Sequence, residues 1–157
     1  MKTIIPYIIM SAFLLSSCSM TDEELWLKAE SAKASNDWDS TMHVCQRIID
    51  EYPDGPYAPW ARFGIAESYR FKNQPREALN NYILFYDQNP NMQPSALSLF
   101  MIGYIYHNNL LVSDSARIYY QRFLQKYPNH DLAPTAKIEL ETLLKYPPET
   151  IQYGQAD

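Results

Sequence analysis

The sequence predicts an all-α stack of helical hairpins, and three observations carry that prediction. Tyr52-Pro53, Asn89-Pro90 and Tyr127-Pro128 recur at spacings of 37 and then 38 residues. Between them, apolar residues return every three or four positions, the period of a helix with one buried face. No stretch alternates polar and apolar residues for long enough to make a strand. A repeat of this size with two helices per unit is a solenoid, whose hairpins bury their apolar faces against one another. Such arrays build surfaces rather than catalytic clefts.

The first 17 residues read as a targeting signal. Lys2 precedes an apolar run from Ile4 to Leu15, too short for a membrane-spanning helix, which needs about 20 apolar residues. The run ends in Leu15-Ser16-Ser17-Cys18, which resembles the bacterial lipobox. That resemblance implies a diacylglycerol and an N-acyl chain on Cys18, an anchor that replaces a transmembrane segment. It also implies a bacterial envelope location, and Ser19 after the cysteine favours the outer membrane. Residues 18–21 then form a lipidated linker.

Thr21 with Glu24 has the form of a capping box, and Asp22, Glu23 and Glu24 suit a helix N-terminus, so a first helix is predicted from Asp22 to about Ser35. Asn36-Asp37 breaks it. A second helix from about Trp38 to Glu51 carries Val44, Cys45, Ile48 and Ile49 on one face, and Pro53-Asp54-Gly55-Pro56 turns the chain. Pro59 suits the first turn of a third helix reaching about Phe71, and Pro75 that of a fourth, from about Gln74 to Gln88. Pro94 opens a fifth helix to about His107. A loop at Asn108–Val112 leads to a sixth, capped by Ser113 and ending near Lys126. A seventh from about Pro134 to Lys145 carries Lys137, Glu139, Glu141 and Lys145, as a solvated end-cap would. The repeat domain is thus residues 22–146, and 147–157, opening on Pro147-Pro148, read as a mobile tail.

With these positions aligned, the units resemble the tetratricopeptide repeat. The second gives Ala66, Tyr69, Ala78, Tyr82, Phe85 and Pro90; the third gives Gly103, Tyr106, Ala116, Tyr120, Phe123 and Pro128. The first, with Ala29, Ala32, Thr41, Cys45, Ile48 and Pro53, is more degenerate. Ala29, Ala66, Gly103, Ala78 and Ala116, with Tyr69 and Tyr106, are the expected packing residues. The units exceed the usual length of about 34 residues, and the segments Glu51–Ala58 and Phe123–His130 look like the envelope subgroup of this family. That subgroup includes the lipoprotein of the outer-membrane β-barrel assembly machinery (BamD-like) and the periplasmic coordinator of the Tol-Pal system. The lipobox favours the first; three repeats in place of its usual five count against full equivalence. The resemblance implies a lipid-anchored, periplasm-facing scaffold whose partner is a β-barrel assembly component or a Tol-Pal-type protein of division or peptidoglycan work.

In this family the leading helices of the hairpins line a concave face. Trp26, Phe63 and Phe100 recur at 37-residue intervals, which predicts an aromatic ladder along a groove, with Ile138 as its last rung. Glu30, Glu67, Tyr104 and Thr142 follow one turn later, and Trp60, Arg70 and His107 flank them. Apolar anchors edged by charge are what a groove for a peptide needs. The same spacing also suits packing between hairpins, and the sequence leaves core and groove both open.

The remaining chemistry is sparse. Without Lys2 the chain has 12 basic against 18 acidic side chains, and no two basic residues are adjacent, so nucleic acid is not an expected partner. Cys45 occupies a core position and has no second thiol in the mature chain. His43, His107 and His130 lack the spacing of a helical metal site. No phosphate-cradling glycine loop, nucleophile triad or paired carboxylates are visible. A non-enzyme without cofactor, metal or small-molecule substrate is expected.

Overall fold

The computed structural model describes residues 19–145; the signal, the acylation site at Cys18 and the tail lie outside them. Seven α-helices are found among the described residues: α1 Asp22–Ala34, α2 Trp38–Glu51, α3 Ala58–Phe71, α4 Pro75–Gln88, α5 Pro94–Tyr104, α6 Ser113–Lys126 and α7 Ala133–Lys145. Each packs chiefly on its neighbours in sequence, so the fold is an open-ended stack of three hairpins closed by α7.

The capping box holds α1: the Thr21 hydroxyl accepts from the Glu24 amide at 3.2 Å, and the Glu24 carboxylate accepts from the Thr21 amide at 2.8 Å. The Tyr52 hydroxyl donates to the Met20 carbonyl at 2.7 Å, so the chain is tied to the fold two residues after Cys18. Asn36 and Asn73 turn the first two hairpins at φ 58° and 56°, a left-handed conformation that asparagine tolerates well.

The third hairpin departs from the prediction. Its leading helix does not run evenly to His107; α5 ends at Tyr104 and continues as a π-helical segment, Ile105–Asn109. The cause lies in the repeat length. The bond from the Gln74 amide to the Tyr69 carbonyl spans five residues, whereas its counterpart from Val112 to Tyr106 spans six. The one extra residue of the longer unit is absorbed as a π-turn, with the Leu110 amide donating to the Ile105 carbonyl at 3.0 Å. Leu111 then takes the left-handed place of the two asparagines, at φ 56°. Ser113 is not a cap: it is the first residue of α6, and Val112 stands at the cap position with no side-chain bond.

Two apolar clusters meet at α3. One gathers Leu25, Ala29, Val44, Cys45, Ile48 and Ala61; the larger runs from Ala66 through Tyr82, Leu99, Ile102 and Phe123 to Leu143. Small residues set the close approaches. A Cβ on Gly103 would lie 3.0 Å from the Tyr120 ring, and one on Gly64 would lie 3.1 Å from the Cys45 sulfur. Ala29, Ala66, Ala78 and Ala116 are buried, while Tyr69 and Tyr106 are half-buried, Tyr106 stacked on Tyr119 at 5.6 Å.

Candidate functional site

The leading helices α1, α3 and α5 turn matching stripes toward a concave cavity of about 620 Å³. Trp26, Ala29, Glu30 and Lys33 come from α1, and Trp60, Phe63, Gly64 and Glu67 from α3, both sets at the three- and four-residue spacing of one helix face. Pro94 and Leu97 come from α5, with Gln93 before it, and Thr41 and Cys45 of α2 form the floor. The far wall is the turn between α6 and α7, His130-Asp131-Leu132. The stack therefore curls until its last turn faces its first helix.

Of the expected groove residues, Trp26, Glu30, Trp60, Phe63 and Glu67 line this cavity. Phe63 belongs to groove and core together: it lines the wall while its ring packs edge-on against Tyr82 at 6.1 Å and against Phe85 at 5.3 Å. Trp26 is held by stacking on Tyr57, centroids 5.6 Å apart.

The ladder breaks at its third rung. Phe100 is not an open anchor of this cavity; it is 6% exposed and packs between Tyr120 and Phe123, each at 5.7 Å. Its edge lines a separate depression of about 350 Å³ with Arg70, Asn73, Tyr104 and Asn109. His107 lines neither and pairs instead with Glu139 of α7 at 2.8 Å. Ile138, the expected last rung, is exposed on α7 away from the cavity's lining.

The second and third hairpins resolve one buried hydroxyl differently. Arg70 grips Glu67 at 2.7 Å, and the Tyr82 hydroxyl donates to the same carboxylate. Burial, and then the charge of Glu67, push the Tyr82 phenol well above its ordinary range, so it remains a proton donor. In the third hairpin Tyr104 stands at the place of Glu67 and His107 at that of Arg70. The Tyr120 hydroxyl is consequently buried without a partner among the described residues.

Sequence reasoning missed Lys33, Leu97 and the whole turn at 130–132. Leu97 had a signal, since it lies one period after Trp60. The turn had none, because only the curvature of the stack brings it opposite α1.

The tetratricopeptide-repeat family model matches residues 25–55 and 97–130, which cover α1–α2 and α5–α6. Two tetratricopeptide repeats are present, and between them lies the helical hairpin α3–α4. The described residues thus form an all-α helical-repeat solenoid that contains two tetratricopeptide repeats. Such repeats generally mediate binding to other proteins, and the fold is typically a scaffold rather than an enzyme. No curated protein matches the chain.

Proposed function

We propose that this protein is a lipid-anchored scaffold of the bacterial outer membrane, facing the periplasm and holding a segment of another envelope protein in its concave groove, in the service of β-barrel assembly. The observation that carries the binding role is the cavity itself. It is walled by Trp26, Trp60, Phe63 and Leu97, edged by Glu30, Lys33 and Asp131, and large enough for two or three side chains. The anchoring role rests on the lipobox at Leu15–Cys18 in the sequence. An anchored scaffold searches in two dimensions, which raises its effective concentration toward a membrane partner, so a modest groove affinity suffices. With Met20 already packed into the first apolar cluster, the leash between lipid and fold is short.

The test is capture from gently crosslinked membranes of the source bacterium, with partners identified by mass spectrometry. Recovery of a large outer-membrane β-barrel with periplasmic domains supports the reading. Recovery of Tol-Pal or peptidoglycan-binding proteins without that barrel replaces it with an adaptor role in division or envelope work. Cys18→Ala is expected to leave the protein unlipidated and released from membranes; unchanged retention refutes the anchor.

A further inference from the structure

The cavity is unevenly charged. Glu30, Glu67 and Asp131 line it against a single lysine, Lys33, whose ammonium stands 3.4 Å from Glu30. That pair is about half exposed on both sides, so it is weak and readily exchanged for a ligand's cation. Glu67 is already held by Arg70 and Tyr82. Asp131 forms no ion pair among the described residues. The Nδ1 of His130 accepts the Leu132 amide at 3.1 Å.

The neighbouring depression has no carboxylate in its lining, and its one charged lining residue, Arg70, is paired with Glu67. The acid excess is therefore local to the larger cavity, where it coincides with Trp26 and Trp60, the side chains whose faces best attract a cation. The whole chain, with 18 acidic against 13 basic residues, adds a long-range field of the same sign.

We infer that the occupant of the cavity is a partner segment carrying a large apolar side chain next to a lysine or arginine, with the cation set among Glu30, Asp131 and the two tryptophans. This inference rests on the binding role proposed above and adds to it the chemistry of the partner. It also excludes an acidic recognition segment at this place. A carboxylate there would face Glu30 and Asp131 with only Lys33 to answer it, since Glu67 is already paired with Arg70.

The experiment uses the purified full chain and two labelled peptides of one glycine-serine frame, one with Lys-Phe-Lys and one with Glu-Phe-Glu at the centre, followed by fluorescence anisotropy. A random peptide library displayed against the same protein runs in parallel. The basic peptide is expected to bind at least roughly tenfold more tightly, a difference of about 1.4 kcal/mol, with the advantage shrinking as salt rises. Combining Glu30→Lys with Asp131→Lys is expected to abolish or reverse the preference; Glu30→Gln with Asp131→Asn, a milder change at the same two surface positions, is expected to abolish it. Library binders that are lost on Trp60→Ala but are acidic or neutral overturn the charge inference and leave the groove standing. A membrane partner whose capture is indifferent to Trp60→Ala, together with a library that yields no groove binder, overturns both.

Discussion

At the scale of the residue, Tyr82 and Tyr120 form a natural pair of experiments. They hold equivalent places in two hairpins, both fully buried, yet only Tyr82 has an acceptor. Tyr82→Phe removes a hydrogen bond to a charged group and is expected to destabilise the fold by about 1.5–3 kcal/mol. Tyr120→Phe removes a hydroxyl that is buried without a partner, so its stability is expected to equal or exceed that of the wild type. Denaturant melts of the two variants check both, and a costly Tyr120→Phe would mean that the hydroxyl has a partner. Cys45 offers a second test. Burial, and then the nearby charge of Glu30, push its thiol up to about 12 from an ordinary value of 9.0. The folded state therefore holds this proton more tightly than the unfolded state. Stability is indifferent to this group below pH 9, and is lost as the pH rises from there toward 12. At pH 8 iodoacetamide is expected to leave native Cys45 unmodified and to alkylate it in denaturant; rapid native alkylation would contradict the buried thiol.

At the scale of the element, most of the helix plan was legible because its signals are local. Thr21 with Glu24, the prolines opening α3, α4 and α5, and Asn36-Asp37 at the first hairpin turn act through their own backbone bonds. The third hairpin was not legible in the same way. An inserted residue can extend a loop or distort a helix, and the choice depends on which carbonyls the packed neighbours leave available. Here it became the π-turn at Ile105–Asn109, which leaves Leu111 at positive φ with its side chain 67% exposed. Leucine pays a steric penalty of roughly 1–2 kcal/mol in that conformation and recovers little by burial. Leu111→Asn, restoring the residue of the other two turns, is expected to raise stability by about 1 kcal/mol, read as a higher melting temperature; a lower one would mean that the leucine makes a contact worth more than its strain.

At the scale of the molecule, the array is one-dimensional, and its stability should divide accordingly. Its two apolar clusters share only α3 among the described helices, and α7 packs on α6, with Glu139 reaching His107 of the π-helical segment, rather than on the first hairpin. Ala136→Glu places a charge in the fully buried seam between α6 and α7 and is expected to release the last helix. Hydrogen exchange would then show lost protection in α7 while the amides of α1 and α2 keep theirs. Uniform loss would mean that the stack melts as one unit.

The sequence by itself determined the all-α class, the period, nearly every helix boundary and five of the residues that line the cavity, because helix periodicity and capping are short-range physics. Tertiary structure alone decided what the ladder does. Phe63 serves wall and core at once, and Phe100, at the same place in the next unit, is buried. His107 left the groove for Glu139, and the turn at His130–Leu132 closed the cavity opposite Trp26. These outcomes depend on the small rotation between successive hairpins. That rotation depends on side-chain volumes across each seam, such as Gly64 of the second hairpin against Cys45 of the first, and accumulates over residues distant in the chain.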